Sequence, residues 1–408
     1  MNGTDRATSH WWSAADVEAR KALAAGMLAW MLDAFDVMLF SLVLPALSAD
    51  LRLTKAEGGL LGSVMLIAAA AGGVGFGRFA DRYGRTRALM LSVALYSVFT
   101  FACGFATTLG MFALFRVLLG LGMGGVWSSG AALVSETWPA EHRGKALGLM
   151  QSGWAIGYAA AVLVAGAIQP RFGWRAVFFI GVLPAFFAIW VQRSVKEPAI
   201  WRARATAPRA SMFGSGLGTL TLVLTLMNTC TLFGWWGFNL WLPSYLTSSP
   251  AQGGAGLGGA ATTGFLFVMQ AGMWVGYVTF GFISDRVGRK TSYVAYLLVA
   301  AVLLAIYVSI RNPTALLVLG PCVAFAATGY FSGFGAVTAE VYPTSVRATA
   351  QGFTYNIGRL ASAAAPYLVG SLADTRGFGA ALLVCSAAFV VAAVFWIWIP
   401  ETRGRVLA

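Results

Sequence analysis

The chain of 408 residues is 58% hydrophobic and only 11% charged, with 15 Trp and 28 Phe. A soluble domain is roughly half apolar and a quarter charged, so this apolar excess is too large for one buried core. The composition excludes a soluble enzyme, a disordered protein and a secreted disulfide scaffold, and it predicts a polytopic membrane protein. The net charge of +13 does not indicate nucleic-acid binding, because the basic residues form short clusters between apolar runs.

Long apolar runs alternate with short polar segments along the chain. A helix crosses a bilayer in about 20 residues, and each run is long enough to do so. The polar residues 1–21 lack the apolar stretch of a secretory signal, so the first run is expected to be an uncleaved anchor. The twelve runs lie at about residues 22–46, 57–77, 88–106, 110–134, 146–168, 174–192, 214–246, 262–283, 292–310, 314–337, 350–372 and 379–399.

A polar, basic stretch after the sixth run divides the runs into two sets of six. The sequence therefore predicts an all-α integral membrane protein whose twelve transmembrane helices form two pseudo-symmetric six-helix bundles around a central cavity. The predicted segments are an N-terminal segment of residues 1–21, a bundle of residues 22–192, a linker of residues 193–213, a second bundle of residues 214–399 and a tail of residues 400–408.

The basic residues predict the orientation of these helices. If the N-terminus lies inside, most of the 28 Lys and Arg residues fall in segments on that side of the membrane. Cytoplasmic loops carry such an excess of Lys and Arg. Both termini and the linker are therefore expected in the cytoplasm, and the chain is expected to cross the inner (plasma) membrane repeatedly.

Two copies of one loop pattern indicate that the halves of the chain are related. GRFADRYGRTR begins at Gly77 and GFISDRVGRKT begins at Gly281, and the same offset carries Glu136 onto Glu340. Hydrophobic composition alone would not keep charged loop positions in one register. Two parallel six-helix repeats are typical of proteins that hold a ligand near the bilayer midplane and expose it to each side in turn.

Several motifs of the chain resemble those of the major facilitator superfamily. They are the G-x-x-x-D-R-x-G-R loop from Gly77 and its second copy, R-x-x-x-G-x-G-x-G from Arg116, the E-x-x-P-x-x-x-R loops, and PETRG from Pro400. The resemblance covers essentially the whole chain. It implies the twelve-helix fold of that superfamily and a monomeric protein.

Within the superfamily, LDAFDVMLF in helix 1 and ETWPAEHRGKALGLMQSGWAIGY look most like the proton-linked organic-acid symporters of the sialate and monocarboxylate group. The aromatic-acid symporters are the next nearest group. Those proteins typically carry D-G-x-D in helix 1, whereas this chain has Asp33-Ala34-Phe35-Asp36. This departure favours the first group.

The resemblance also implies that the paired loops form a gate latch. Asp81 would lie near the N-terminal end of helix 11, where the helix dipole favours an acid, and arginines would brace adjacent helices while the cytoplasmic side is shut. Positive-inside topology alone explains the arginines, but not an acid and two glycines at fixed spacing in both halves. The expected gate residues are Gly77, Asp81, Arg82, Gly84, Arg85, Glu136, Arg143, Asp285, Arg286, Glu340 and Arg347.

Asp33 and Asp36 are the only carboxylates well inside an apolar run. At positions i and i+3 they share one helical face. Each costs about 2.5–3.5 kcal/mol at a helix centre, so a face onto a watered cavity is expected. Two neighbouring carboxylates in a poorly hydrated site resist double ionisation, which suits proton coupling. The alternative is that one of them only pairs with a cation or bonds to the backbone, and the sequence does not distinguish which one titrates.

Two arginines lie within apolar runs, and each has two interpretations. Arg359, deep in helix 11 with Tyr355 and Asn356 on its face, either contacts an anionic substrate or is an internal ion-pair partner. Arg116, near the start of helix 4, either partners an acid or substrate or extends to the membrane interface.

Polar and aromatic residues on helices 5, 7, 8 and 11 are candidates for the lining of the cavity. Such a lining would surround a small organic anion with ring faces and a few amide donors. The alternative is helix packing and the aromatic belts at the membrane surface. The candidate substrate-binding residues are Arg359, Arg116, Asn356, Tyr355, Gln151, Trp154, Asn239 and Gln270.

Known catalytic and metal-binding patterns are absent from the sequence, which contains no P-loop, no H-E-x-x-H and no C-x-x-C pair. No cofactor, metal or enzymatic activity is therefore predicted. The features together predict a secondary transporter that takes up a small organic anion, such as a monocarboxylate, with H⁺ by alternating access in the lipid bilayer. Alternatives are a carrier of sugars or neutral metabolites, because PETRG and KEP are also similar to sugar-porter motifs, and a proton-driven drug or metabolite exporter. A membrane-embedded enzyme or a non-transporting receptor would be a third class.

Overall fold

The computed structural model describes residues 12, 15–139, 142–198, 213, 216–342 and 347–403, and this part of the chain contains helices and no β-strand. The first half comprises α1 (Val17–Leu51), α2 (Lys55–Tyr83), α3 (Arg85–Cys103), α4 (Leu109–Thr137), α5 (Arg143–Ile180) and α6 (Leu183–Ser194). The second half comprises α7 (Leu217–Thr247), a 3-10 turn (Pro250–Gln252), α8 (Gly259–Val287), α9 (Arg289–Ser309), α10 (Pro313–Gly329), α11 (Phe331–Val341), α12 (Arg347–Ser362) and α13 (Ala364–Phe395).

Sharp turns at two glycines divide the longest helical stretches into separate crossings. Ten stretches of the described residues are long and apolar enough to cross a membrane, and two of them, residues 145–187 and 350–395, have 43 and 46 residues. At 1.5 Å per residue each would be about 65 Å long, roughly twice the thickness of a bilayer core. Gly173 and Gly377 interrupt them with φ of 79°. Division at these glycines gives twelve crossings within the described residues.

The helices end at two faces that differ in charge. One face, which we call the basic end, carries the loops at residues 83–85 and 287–289, with their flanking arginines. The other face, which we call the opposite end, carries the loops at residues 51–55 and 248–258. Between the two ends, large apolar side chains point outward: Leu163 is 51% exposed and Val302 is 58% exposed. An outer surface of this kind faces lipid.

Contacts between the halves are concentrated towards the opposite end. The Ser41 hydroxyl of α1 donates to the backbone carbonyl of Asn239 in α7 at 3.0 Å. The backbone N–H of Tyr367 in α13 donates to the Ser63 hydroxyl of α2 at 3.3 Å. The halves are therefore joined at the opposite end and part towards the basic end. The structure confirms the predicted all-α fold of two six-helix bundles with a central cavity.

The first helix begins earlier than its apolar run. α1 starts at Val17 because the Asp16 carboxylate accepts a hydrogen bond from the backbone N–H of Ala19 at 2.7 Å and so caps the helix. Helices that extend past the bilayer are therefore longer than their hydrophobic runs. The predicted N-terminal segment, linker and tail lie largely outside the described residues.

Candidate functional site

A cavity of about 350 Å³ opens at the basic end, between the two halves. Residues of α2, α4 and α5 form one wall, and residues of α11 and α12 form the other. The cavity is therefore bounded by both repeats, as expected for a ligand path between them. Its lining includes Gly77, Arg85, Trp127, Ser135, Glu136 and Gln151 from the first half, and Phe331, Phe334, Gln351 and Tyr355 from the second half.

A small chamber of about 30 Å³ adjoins the inner end of the cavity. This volume holds roughly two water molecules, so an organic ligand would need the walls to move apart. Gln151, Phe331 and Tyr355 line both spaces, whereas Arg359 lines only the chamber. The remaining walls are aromatic and consist of Trp30, Trp154, Trp235, Trp236 and Tyr277.

The indole rings of this wall pack against one another. The ring centroids of Trp30 and Trp154 lie 4.7 Å apart, those of Trp154 and Trp235 lie 5.6 Å apart, and those of Trp235 and Trp236 lie 4.8 Å apart. Within the described residues, the Nε1 groups of Trp30, Trp154 and Trp235 have no hydrogen-bond acceptor. A buried donor without a partner costs about 1–3 kcal/mol. Polar donors among ring faces suit a ligand that is flat and carries oxygen atoms.

Arg359 places a cation in the chamber. Its side chain is 1% exposed, and its Nη2 donates to the Tyr355 hydroxyl at 3.2 Å. The guanidinium carbon lies 4.9 Å from the centroid of the Tyr355 ring, a cation–π contact. Its Nε has no acceptor among the described residues. Asp33 forms no hydrogen bond with Arg359 within the described residues, and the two charges interact only over a longer distance.

Asp33 and Asp36 lie near the middle of the 35-residue α1 and are fully buried. None of their four carboxylate oxygens has a hydrogen-bond donor among the described residues. Thr100 and Tyr96 of α3 are neighbours of Asp36. An ionised carboxylate in such a place costs several kcal/mol unless it is paired.

The expected face of these aspartates onto a watered cavity is absent in this conformation. Neither aspartate lines the cavity or the chamber. Trp30, one turn before Asp33 on α1, occupies the chamber wall instead and packs against Trp154 with the two ring planes tilted by 48°.

Arg116 lies apart from the chamber. It is about two turns from the start of α4, about 10 Å along the helix, and so nearer the opposite end. Its Nη2 is 2.8 Å from the sulfur of Met65, and its guanidinium lies 4.1 Å from the centroid of the Phe40 ring. Its side chain is 1% exposed, which differs from the expected alternative of extension to the membrane interface.

The candidate lining residues fall into two groups. Gln151, Trp154 and Tyr355 line the chamber. The three predicted amides Asn239, Gln270 and Asn356 line neither space, because each amide nitrogen donates to a backbone carbonyl one turn earlier in its own helix. The acceptors are Trp235 at 3.1 Å, Leu266 at 3.0 Å and Gly352 at 3.0 Å, respectively.

The loops at the basic end carry the same ion pair in each half. Arg85 Nη2 lies 2.9 Å from a Glu136 oxygen, and Arg289 Nη2 lies 3.1 Å from a Glu340 oxygen. Each pair lies within one half. Asp285 also pairs with Arg289, at 2.6 Å. The side chains of Asp81, Arg143 and Arg347 lie outside the described part of the structure. Arg82 and Arg286 are exposed, Gly84 is the N-cap of α3, and Gly77 lines the cavity.

Glutamates that follow the last helix of each half cap the helices after these loops. The Glu197 carboxylate accepts hydrogen bonds from the backbone N–H groups of Arg85 and Thr86, at 2.7 and 3.1 Å, at the start of α3. Glu401 accepts from the backbone N–H groups of Arg289 and Lys290, at 2.8 and 3.1 Å, at the start of α9. The caps join the end of each half to its own loop.

Comparison with known proteins agrees with this geometry. The profile of the Major Facilitator Superfamily matches residues 26–270 and, in a second match, residues 224–407. A "Probable 4-methylmuconolactone transporter" of Cupriavidus pinatubonensis is 36% identical over 97% of this chain and 93% of its own. A "Cis,cis-muconate transport protein" of Acinetobacter baylyi is 30% identical over 96% of this chain and 95% of its own. The crystal structure of a D-xylose-proton symporter matches with a TM-score of 0.76 and 19% identity, covering 96% of this chain and 100% of its own.

Two related six-helix halves around a cavity that is open to one side define a secondary-transporter fold. The chain belongs to the Major Facilitator Superfamily, as its loop motifs predicted. The match covers both repeats and therefore both walls of the chamber.

Proposed function

We propose that the protein is a proton-coupled symporter that takes up a small organic acid by alternating access. The observation that carries the proposal is Arg359, a buried guanidinium in an aromatic chamber between the halves, whose charge interacts with that of Asp33. A guanidinium binds a carboxylate through two parallel hydrogen bonds. The Nε of Arg359, which has no acceptor among the described residues, is available for one of them.

The aromatic wall supports a flat, unsaturated carboxylate as the substrate. Ring faces stack favourably on planar groups, and free indole N–H groups suit carboxylate or hydroxyl oxygens. Relatives are named for cis,cis-muconate, niacin, gentisate and benzoate, all of which are planar acids. Another relative is named for sialic acid, which is not planar. The wall therefore favours the first kind of substrate over the second.

Charge competition at Arg359 supplies the proposed coupling. While Asp33 is ionised, its charge and the substrate carboxylate compete for the same guanidinium. Protonation of Asp33 frees Arg359 for the substrate, so proton and anion bind together. Asp36, one turn further along α1, is the proposed second proton site. Neutralised charge then lets the halves rock around the occupied chamber.

The orientation follows from the positive-inside rule, which supports a cytoplasmic basic end, cytoplasmic termini and an inner-membrane location. On that orientation the structure is inward-open. The proposed moving bodies are residues 22–192 and 214–399, joined by the linker 193–213. The cavity and chamber are complete within one chain, which supports a functional monomer.

The loops at the basic end are proposed to form the latch of the outward-open state. In the present state the ion pairs Arg85–Glu136 and Arg289–Glu340 stay within their own halves. This leaves the basic end free to open. In the proposed closed state, Asp81 approaches the start of α12, which is helix 11 of the sequence analysis, in the other half.

Uptake by proteoliposomes under an imposed inward proton gradient tests this function, with cis,cis-muconate and benzoate as probes. The parent protein is expected to concentrate one of the two acids. Asp33→Asn is expected to lose accumulation but retain counterflow, because exchange needs no net proton movement. Asp36→Asn is measured beside it, and Asp50→Asn at the opposite end is the control. Accumulation that persists in the Asp33→Asn/Asp36→Asn double variant would contradict the proposed coupling.

A further inference from the structure

One ring pair lies where the wide cavity meets the chamber. Trp127 of α4 lines only the cavity, and Tyr355 of α12 lines both spaces. Their ring centroids are 4.6 Å apart and their planes differ by 19°, a stacked arrangement. One ring belongs to the first half and the other to the second half. The stack therefore bridges the two halves on the side where they part, at the entrance of the chamber.

Each ring of this pair is hydrogen-bonded to a polar residue of the chamber wall. Trp127 Nε1 donates to the Gln151 side-chain oxygen at 3.1 Å. Arg359 donates to the Tyr355 hydroxyl at 3.2 Å and covers its ring. Phe334 of α11 packs against Tyr355 from the cavity side, at 6.2 Å between centroids. The rings are thus fixed by the two polar residues that a chamber ligand would contact.

We propose that Trp127 and Tyr355 form an inner gate that separates the chamber from the open cavity. The inference rests on the proposed function, because it treats the chamber as the substrate site. The stack blocks the path while Gln151 and Arg359 hold the rings in place. Separation of the rings opens the chamber to the basic end. A substrate carboxylate can replace the Tyr355 hydroxyl as the acceptor of the Arg359 hydrogen bond, because a charged acceptor forms a stronger hydrogen bond than a phenol does. This exchange would remove one of the two hydrogen bonds that hold the rings.

Cysteine labelling tests the gate without a substrate. In a background with Cys103, Cys230, Cys322 and Cys385 replaced by alanine, Tyr277→Cys reports on the chamber. Ser135→Cys reports on the cavity, because Ser135 lines only that space. A membrane-impermeant maleimide is added to vesicles of either orientation, and the orientation in which Ser135→Cys reacts quickly exposes the basic end.

Removal of one ring is expected to open the chamber to the reagent. In that orientation, Trp127→Ala should raise the labelling rate of the chamber cysteine about tenfold, which corresponds to a barrier lower by about 1.4 kcal/mol, and leave the labelling rate of the cavity cysteine unchanged. Trp127→Phe keeps a ring but loses the hydrogen bond to Gln151, and Tyr355→Phe keeps its ring but loses the hydrogen bond from Arg359. Both variants should therefore label at rates between those of the parent and Trp127→Ala.

The matched control is Trp274→Ala, which removes an indole that is 42% exposed and lines neither space. Chamber labelling that is equal in Trp127→Ala and Trp274→Ala, with both proteins folded by size-exclusion chromatography, would overturn the gate. Absence of muconate and benzoate uptake in the parent, with the labelling pattern as expected, would instead overturn the proposed function and leave the gate intact.

Discussion

The carboxylate of Asp374, in the second half, caps the first turn of α2 in the first half by accepting a hydrogen bond from the backbone N–H of Ala56 at 2.9 Å. Its other oxygen accepts from the backbone N–H of Lys55 at 3.2 Å and pairs with the ammonium of Lys55 at 3.8 Å. An acid at a helix N-terminus is stabilised by the unpaired N–H groups and by the helix dipole. This cap joins the halves at the opposite end, so opening of that end must break it.

Replacement of Asp374 is therefore expected to favour the outward-open state. The Lys55–Asp374 ion pair is partly exposed and contributes little, whereas each charge-assisted hydrogen bond is worth about 1.5–3 kcal/mol at most. Asp374→Asn should raise the outward-open population about fivefold or more, because 1 kcal/mol corresponds to roughly that factor. Distances between spin labels on the two halves at the opposite end measure the population.

Asp50→Asn is the matched control for that experiment. Asp50 lies at the same end and pairs with Arg175 at 2.7 Å, but both residues belong to the first half. Its replacement should leave the distance distribution unchanged. An equal shift in both variants would show that the cap does not hold the halves together.

Arg359 and Arg116 provide a second contrast, because both are 1% exposed but only Arg359 lines the chamber. Arg359→Gln should weaken the binding of cis,cis-muconate on the order of 10–100-fold, because hydrogen bonds to charged groups contribute about 1.5–3 kcal/mol. Arg116→Gln should change this affinity much less. Ligand-induced thermal stabilisation of the purified variants measures both. Unchanged affinity in Arg359→Gln would favour a carrier of neutral substrates.

The charged residues of the site and two of its aromatic residues, Trp154 and Tyr355, could be predicted from the sequence, whereas the rest of its aromatic wall could not. Asp33 and Arg359 stand out because a charge inside an apolar run is costly and requires a reason. Trp30 and Trp236 do not stand out, because their helices are apolar on all faces and carry many rings. Which ring faces the chamber depends on helix tilt and rotation, which such faces do not specify. One feature of the sequence could have indicated that Trp30 lines the chamber, namely its position one turn before Asp33.

The predicted amides show a second reason why the site could not be predicted completely from the sequence. Asn239 and Asn356 were expected in the cavity because a buried amide needs partners. Their own helices provide an acceptor one turn back, so the amides are partly satisfied without a ligand. The sequence is compatible with both arrangements, in which the amide binds either a ligand or its own helix. The sequence also does not specify which end of the protein is open, because the same two bundles can close at either end.

Glu401 makes a prediction about pH. Burial opposes its ionisation, but hydrogen bonds from the backbone N–H groups of Arg403, Arg289, Lys290 and Thr402 prevail and lower its pKa. An unfolded glutamate has a pKa of about 4.3. The stabilisation from Glu401 is therefore fully present above that pH and is lost as the pH falls through the lower folded-state pKa.

Thermal unfolding between pH 7 and pH 3 measures this effect. Glu401→Gln should melt at a lower temperature than the parent near neutral pH, and the difference should vanish towards pH 3. Glu18→Gln is the control, because Glu18 forms only partly exposed surface pairs with Lys21 and Lys196. A difference between the parent and Glu401→Gln that stays constant with pH would show that the charge of the cap is irrelevant.

The glycine turns between paired crossings give the last prediction. Gly173 and Gly377 have φ of 79° with ψ of 173° and 165°, a region that residues with a Cβ atom rarely adopt. Ala at Gly173 should destabilise the fold by about 1–3 kcal/mol through backbone strain alone, because the space around Gly173 is open, whereas a Cβ atom at Gly377 would also lie 3.1 Å from the Gln252 carbonyl oxygen. Gly148→Ala is the control, since Gly148 is helical with open space around it and alanine there should be neutral or stabilising by up to about 1 kcal/mol. Equal melting temperatures for Gly173→Ala and Gly148→Ala in detergent would show that the turn does not depend on glycine.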